Sequence, residues 1–514
     1  MTPTPPFNQP GAQPSFVRPA NKRDQAVRTM RQHLAGQRHD EALALFRSLP
    51  DRIREDPELL FVASMCHEAR MHFPRAIELA QKSHRKNGRF EPLMVIARCQ
   101  RALGETESAL ETLDKVHRLI PQNDVPLFLR AGVLEEAGRF AEATELLQPI
   151  VERYEQAGRE RPTAMLLEWA KLLVQNKRFD EGIDVIDELC AVEKMPEPAV
   201  NQLLHLKAKA CDRKKDFAGA WDAADRANEI GRLEFSPDLY EEQVTTLIEN
   251  WSREAMEKFP ISSCESELPV FVAGMPRSGT SLIDQIIDAH PKAAGVGELA
   301  TIEAFAKQLA AAYDSDKEPP ACFGRYNALR WTRAANEYIR EIEKLSPPGV
   351  ERVVNKALGN NKLVGLIARL FPKTRIIHAI RDPRDVAISC FMGGFNNRLH
   401  PWTTRVEWAA RAWEQSMRMM EHWKSALDIP ILDVHYERLV ADPESEFPRI
   451  IDFLGLEWDD RCFEFHKSRR TVRTLSYDQV NRPLYTSSSG RHANYAEQIA
   501  GVEFPSYDPY ARDE

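Results

Sequence analysis

A short glycine-rich stretch between a strand and a helix constrains the fold of this 514-residue chain more than any other feature. Val270–Ala273 is an apolar, β-branched run that predicts a buried strand. The glycines of Gly274–Ser281 (GMPRSGTS) then allow a sharp turn and a close approach to a ligand. An amphipathic helix follows, and Pro291 is expected to end it. This order directs amide N–H groups and a helix dipole at one point, which predicts a site for a phosphate-like anion.

Beyond this stretch, strand-like runs alternate with helical patterns. The expected strands are Arg352–Val354, Arg375–Ile380 and Ile431–Val434, and the expected helices are Asn361–Leu370, Asp385–Phe391, Val406–Leu427 and Phe447–Leu454. Such alternation predicts a parallel sheet with helices on both faces. Ligands of such sheets bind beyond the carboxyl ends of the strands, so the residues that follow each strand are the candidates for a site.

The charges around the loop differ from those of a nucleotide triphosphatase. Those enzymes place a lysine after the second glycine, whereas here Thr280 follows Gly279 and the positive charge lies inside the loop, at Arg277. A second motif leaves the strand Arg375–Ile380 with Arg381 and, eight residues later, Ser389. Both side chains can bond one phosphate, because arginine offers a fixed fork of donors and serine a hydroxyl.

These two motifs resemble the sulfotransferase family, and most closely its protein-tyrosine sulfotransferase branch. The PRSGT loop, the DAHP of Asp288–Pro291 and the pair Gly297-Glu298 recur there, and RDPRDVAIS matches the family pattern RxPxDxxxS. The resemblance implies a donor, 3′-phosphoadenosine 5′-phosphosulfate. Arg381 and Ser389 would bind its 3′-phosphate. The loop would bind its 5′-phosphosulfate through Pro276, Arg277, Ser278, Gly279, Thr280 and Ser281.

Four further residues match the family less specifically. The resemblance implies that Lys356, in the NK pair after a strand, meets the transferring sulfonate, and that Tyr436, in a YExL motif, contacts the donor nucleotide. Ser476 and Arg491 fall in a C-terminal pattern S-x-DQV…RP…R, in which arginine twice replaces the family's lysine. The resemblance assigns Ser476 to catalysis and Arg491 to donor binding.

The implied reaction is in-line transfer of a sulfonate to an acceptor hydroxyl. Glu298 stands at the family position of the catalytic base, and the turn Lys292–Gly297 is expected to return it to the loop. His290 is the rival base, because other sulfotransferases use histidine. Arg277 and Lys356 would neutralise charge on the departing phosphate. No metal is expected, since arginines, lysines and amides meet the donor's charge.

The N-terminal part repeats with a period near 34 residues. A small residue recurs three positions after an aromatic residue or its substitute, at spacings of 34, 33, 34, 39 and 38 residues. The pairs are His39/Ala42, Phe73/Ala76, Thr106/Ala109, Phe140/Ala143, Phe179/Gly182 and Phe217/Ala220. This period is typical of tetratricopeptide repeats, which stack into a superhelix with a concave groove. The groove is expected to bind an acceptor peptide, protein or polymer.

The predicted architecture is therefore α followed by α/β. We expect a disordered Pro-rich tail at 1–22, a tetratricopeptide superhelix at 23–235, a helix (Pro237–Lys258) and linker at 236–268, and a P-loop-like α/β sulfotransferase domain with a central parallel sheet at 269–514. Acceptor choice is expected to depend on two loops without readable motifs, Ala312–Tyr326 and Phe395–Thr404.

Composition narrows the partners and the compartment. A net charge of −8 argues against a nucleic-acid-binding protein, and eight scattered cysteines without a CxxC pair indicate neither a disulfide framework nor a zinc site. The N-terminus has no apolar core and no run of about 18 apolar residues occurs, so we expect a cytoplasmic protein without membrane insertion. The oligomeric state stays open. Two alternatives also stay open: a P-loop phosphotransferase or nucleotide hydrolase, and a repeat scaffold with an inactive catalytic domain.

Overall fold

The computed structural model describes residues 22–311, 327–467, 484 and 488–510. The chain divides into two compact units, Met1–Asn176 and Lys177–Glu514. Three expectations fall outside the described residues: the Pro-rich tail up to residue 21, the loop Ala312–Tyr326 and Ser476.

The first unit is a stack of helices. They are α1 (Lys22–Ala35), α2 (His39–Ser48), α3 (Asp51–Arg54), α4 (Pro57–Ala69), α5 (Phe73–Asn87), α6 (Glu91–Leu103), α7 (Thr106–Leu119), α8 (Val125–Glu136), α9 (Phe140–Gln156) and α10 (Thr163–Gln175). From α4 onward each helix packs on the next one in the chain. Met30, Leu59 and Leu79 are among its fully buried side chains, so the core runs along the stack as repeat architectures require.

The second unit combines further helices with a sheet. Its helices are α11 (Phe179–Cys190), α12 (Glu197–Lys214), α13 (Phe217–Glu229), α14 (Pro237–Asn250), α15 (Arg253–Glu257), α16 (Thr280–Asp288), α17 (Thr301–Ala311), α18 (Ala328–Leu345), α19 (Asn360–Leu370), α20 (Pro383–Phe391), α21 (Val406–Ala426), α22 (Tyr436–Ala441) and α23 (Pro443–Phe453). Short 3₁₀ helices cover Pro401–Thr404, Asp460–Lys467 and Arg491–Tyr495. Its strands are β1 (Pro269–Gly274), β2 (Ala293–Gly297), β3 (Arg352–Asn355), β4 (Arg375–Ile380) and β5 (Ile431–His435).

The repeat predicted from the sequence is confirmed helix by helix. Each of the six aromatic or substitute positions is the first residue of a helix, namely of α2, α5, α7, α9, α11 and α13. The small residue three positions later is buried in every case. It is small because a larger side chain would hold the neighbouring helix away. The chain adopts the left-handed conformation two residues before each of these helices, at Gln37, Met71, Gly104, Gly138, Lys177 and Lys215. Only two of these six turn residues are glycines, so the turn itself gives a weaker sequence signal than the buried small residue.

The five strands form one parallel sheet in the order β2-β3-β1-β4-β5. Successive side chains of β1 point to opposite faces, as strand geometry requires. Phe271 and Ala273 pack in a core with α18 and α19, whereas Val270 and Val272 pack in a second core with α16 and α23. The predicted parallel sheet covered on both faces is therefore confirmed, and the turns after its strands meet at one edge.

Two local predictions are wrong. The expected turn Lys292–Gly297 is largely the edge strand β2, whose Ala-Ala-Gly-Val-Gly sequence has little strand preference of its own and is held by pairing with β3. The single helix expected over Pro237–Lys258 is broken at Trp251, where α14 ends. Ser252 then caps the start of α15 through the amide of Ala255, as serine does at helix N-termini.

A polar cluster lies between β4, β5 and α21. The carboxylate of Asp433 accepts a hydrogen bond from Nδ1 of His378 at 2.9 Å and pairs with Lys424. Burial alone raises the pKa of the Asp433 carboxyl, but these two partners outweigh it and lower the pKa from 3.8 to about 2.

The second unit includes the last helices of the repeat pattern. Ala220 and Ala224 of α13 pack in one core with Val386 of α20, and the side-chain amide of Asn228 donates to the carbonyl of Phe391 at 2.8 Å. These helices thus belong to the same compact unit as the sheet, while the domain limits 23–235, 236–268 and 269–514 stay predictions. Within the described ranges no helix combines the length and apolar character needed to cross a bilayer.

Candidate active site

Glycine allows the backbone conformation with which the chain leaves β1. Gly274, with φ of 147°, lies so close to β4 that an added Cβ would stand 2.5 Å from the carbonyl oxygen of Ala379. Arg277 is in the left-handed region, with φ of 69°. The Ser278 hydroxyl donates to the carbonyl of Met275 at 2.7 Å and closes the turn. The predicted loop is thus a tight turn that leads directly into the start of α16 at Thr280.

Gly279 and Tyr436 fit closely together. Gly279 has φ of 99°, and a Cβ at this position would lie 2.7 Å from Cδ2 of the Tyr436 ring. Tyr436 begins α22 directly after β5, and the guanidinium of Arg381 lies over its ring at 4.6 Å from the centroid. Tyr436 therefore stands between the loop and Arg381, where a cation–π contact fixes the guanidinium.

The two sequence motifs, separated by 112 residues between Arg277 and Ser389, meet in the structure. Nε of Arg277 donates to the Ser389 hydroxyl at 2.8 Å, and Arg381 donates to the carbonyl of Arg277 at 3.0 Å. Arg381 and Ser389 are both 5% exposed. Nε of Arg381 is buried without a hydrogen-bond partner in the part of the chain that the structure describes. An unsatisfied buried guanidinium donor is costly, and an anionic ligand in this cluster would relieve it.

Asp385 is a site residue whose role the sequence does not reveal. Its carboxylate pairs with Arg381 at 3.4 Å, and both side chains are buried rather than on the surface. It also accepts hydrogen bonds, each of 2.8 Å, from the backbone amides of Gly490 and His492. The acidic position within RxPxDxxxS was the available signal, but its partners lie about a hundred residues away.

Glu298 and Lys356 meet at the ends of two neighbouring strands. Lys356 follows β3 and Glu298 follows β2, and their side chains form an ion pair of 2.5 Å. The Lys356 side chain is 2% exposed, whereas that of Glu298 is 37% exposed. Asn355, the last residue of β3, donates hydrogen bonds to the Leu299 carbonyl (2.9 Å) and the Tyr338 hydroxyl (3.1 Å). The first of these bonds ties the segment after Glu298 to the end of β3. The result is a buried ammonium beside a carboxylate that an entering molecule can reach.

His290, the rival base, is engaged in the fold. The amide of Lys292 donates to its Nδ1 at 3.1 Å, so Nδ1 is an acceptor and the proton of the neutral ring lies on Nε2. Nε2 then donates to the carbonyl of Glu457 at 2.8 Å. His290 is 3% exposed, so neither nitrogen is left to take a proton from a substrate.

Arg491 lies in an ion pair instead of in the Arg277–Ser389 cluster. Its guanidinium meets the carboxylate of Asp212 at 2.8 Å and lies over the ring of Tyr495. His400 belongs to the expected acceptor loop Phe395–Thr404, and burial lowers its pKa.

Fold and site together define a P-loop-like α/β domain with a candidate anion site at the carboxyl edge of its sheet. Residues 269–460 match the model of a family described as the sulfotransferase family. The second unit of this chain therefore carries a sulfotransferase-family domain.

Relatives cover parts of the chain. A protein from Aquifex aeolicus (strain VF5), described as uncharacterised, is 27% identical over 77% of this chain and 56% of its own length. Protein-tyrosine sulfotransferase A of Caenorhabditis elegans is 26% identical over 41% of this chain and 56% of its own length. The chain thus spans little more than half the length of these relatives. Among solved structures, the sulfotransferase domain of the Synechococcus PCC 7002 olefin synthase covers 48% of this chain and 93% of its own, with 18% identity and a TM-score of 0.34.

Proposed function

We propose that this chain transfers a sulfonate group from 3′-phosphoadenosine 5′-phosphosulfate to an acceptor hydroxyl. The observation that carries the proposal is the cluster of Arg277, Ser389 and Arg381, with its buried, unsatisfied Nε. A phosphotransferase using the same loop has no need for a second phosphate site after β4. The match of residues 269–460 to the sulfotransferase family supports the same conclusion.

The residues of the site fit such a donor. The amides from Ser278 to Ser281 and the Arg277 side chain would bind the 5′-phosphosulfate at the helix start. Arg381 and Ser389 would bind the 3′-phosphate, which gives the buried guanidinium its missing partner. Tyr436 would contact the nucleotide from its place between the loop and Arg381.

Glu298 and Lys356 would carry the chemistry. A bond forms between the acceptor oxygen and sulfur while the bond from sulfur to the phosphate oxygen breaks, and Glu298 takes the hydroxyl proton. Lys356 and Arg277 would stabilise the charge that develops on the departing oxygen, and a donor of this kind is typically worth about 3 kcal/mol. Lys356 must then exchange its ion pair with Glu298 for the reacting group. Such an exchange frees the Glu298 carboxylate to accept the hydroxyl proton when the acceptor is in place.

The acceptor is proposed to be a protein tyrosine or another phenolic or polymer hydroxyl. The stacked repeats of the first unit would recruit it, because a superhelix of helix pairs offers an extended surface to an extended chain. The half-exposed carboxylate of Glu298 is where the hydroxyl would enter.

The test compares three nucleotides by their effect on the melting temperature. Adenosine 3′,5′-bisphosphate is expected to raise it without magnesium, as a ligand of the native state must, and adenosine 5′-phosphate much less. Ser389→Ala should weaken binding of the bisphosphate more than binding of the 5′-phosphate. Equal stabilisation by both nucleotides would remove the 3′-phosphate assignment, and stabilisation only by ATP with magnesium would favour a phosphotransferase.

A further inference from the structure

Residues 488–495, here called the C-terminal segment, lie against the candidate donor site. Arg381 donates to the carbonyl of Ser488, and the amides of Gly490 and His492 donate to the two carboxylate oxygens of Asp385. The ring of His492 also reaches Asp385, at 3.0 Å. The segment thus completes the surroundings of the guanidinium that is proposed to hold the 3′-phosphate.

The same segment is held from its other side by one carboxylate of a repeat helix. Asp212, near the end of α12, pairs with the Arg491 guanidinium at 2.8 Å and accepts a hydrogen bond from the Tyr495 hydroxyl. Tyr495 is fully buried and packs edge-on against Phe217 of α13. The Asp212 and Arg491 side chains are each only 21% exposed, so their pairing is weakly screened by solvent.

A continuous set of contacts therefore runs from α12 to the donor site. Asp212 holds the side chains of Arg491 and Tyr495. The backbone amides of Gly490 and His492 donate to Asp385. Asp385 in turn pairs with Arg381. Without Asp212, Arg491 would lose its counter-charge and the Tyr495 hydroxyl its acceptor, and both would favour release of the segment.

We propose that Asp212 is a positioning residue for the donor site, which it serves by keeping the C-terminal segment docked on Asp385 and Arg381. This inference rests on the proposed function. It gives the repeat helices α12 and α13 of the second unit a part in the donor site, whereas acceptor recruitment is proposed for the repeats of the first unit. No residue of the first unit takes part in this positioning.

The test uses the full chain with Asp212→Asn, and with Asp187→Asn as the matched control. Asp187 forms an ion pair of similar length with Lys207 of α12, at 2.6 Å; its side chain is more exposed, at 52%, and within the described residues no ion pair or hydrogen bond joins it to the C-terminal segment. Asp212→Asn is expected to raise the Kd of adenosine 3′,5′-bisphosphate, measured by calorimetry, about five- to tenfold, as loss of one ordinary hydrogen bond does. It should also speed hydrogen exchange in the peptide 488–495, and raise the KM for the donor while kcat at saturating donor stays unchanged. Asp187→Asn should change none of these, and Asp212→Glu should restore part of the loss.

Tyr495→Phe provides a second variant, because it removes one hydrogen bond to Asp212 and keeps the buried ring. It should shift exchange and Kd in the same direction, to a smaller extent. Unchanged exchange and Kd in both variants would overturn the inference while leaving the proposed function intact. If the wild-type chain does not bind the bisphosphate, the proposed function fails and the role of Asp212 at a donor site fails with it.

Discussion

Replacing Gly279 with alanine is expected to damage the loop through two separable effects. The residue has φ of 99°, where an L side chain strains the backbone by about 1–2 kcal/mol. Its new Cβ would also stand 2.7 Å from Cδ2 of Tyr436, and forcing such an overlap in a packed site costs about 1–3 kcal/mol. The ring cannot retreat freely, because the Arg381 guanidinium covers it at 4.6 Å. The expected total is about 2–5 kcal/mol of destabilisation, concentrated at the anion site.

Gly349 offers the matched control. Its φ is 86°, but nothing lies within 4 Å of a Cβ built there, so Gly349→Ala carries the backbone cost alone. Both variants would be compared by thermal unfolding and by calorimetric titration with adenosine 3′,5′-bisphosphate. Gly279→Ala should melt at the lower temperature and bind at least tenfold more weakly, since a 1.4 kcal/mol distortion of the bound loop already costs about tenfold. Equal melting temperatures and equal affinities in the two variants would refute the idea that contact with Tyr436 sets the loop.

Three further outcomes are expected. Glu298→Gln keeps the shape of the side chain but removes its basicity, so bisphosphate binding should persist while turnover falls by roughly 10²–10⁴-fold. His290→Asn should cost far less turnover. The reverse ranking in a sulfonate-transfer assay would move the base to His290. The folded-state pKa of Asp433 lies near 2, so its contribution to stability is present above about pH 4 and is lost as the pH falls from there towards 2. Asp433→Asn should therefore lower the free energy of unfolding near neutral pH by about 2–3 kcal/mol and flatten its acid dependence between pH 4 and 2. Parallel pH profiles of the variant and the wild type would contradict this. A chain beginning at Lys177 should remain folded, as measured by gel filtration and circular dichroism. A chain beginning near residue 230 should aggregate, because it lacks α13 and uncovers the apolar core around α20. Equal behaviour of the two chains would contradict the packing of α13.

Local signals determined the parts of this protein that could be predicted from its sequence. The 34-residue period places the first residue of six helices, because a small residue must recur wherever neighbouring helices approach closely. The strand, glycine turn and helix start at 269–281 depend on backbone conformations that Gly274 and Gly279 adopt most readily. β4 was predicted to the residue, since Ile376, Ile377, Ala379 and Ile380 make it a largely apolar run, as buried parallel strands are. In each case the signal lies in neighbouring residues or in a regular spacing along the chain, and does not depend on which distant residues meet.

Only the tertiary structure decided how distant residues meet. Strand β2 exists because β3 pairs with an Ala- and Gly-rich segment that has little strand preference of its own, and this pairing carries Glu298 to within 2.5 Å of Lys356. Glu298 was predicted as the base and His290 was its rival; the structure shows the ring of His290 bonded to the amide of Lys292 and the carbonyl of Glu457. Asp212 and Tyr495 are 283 residues apart, and no periodicity or motif links them. Such contacts follow from how whole elements pack, because a carboxylate on a helix has no local preference for the partner that the fold brings to it.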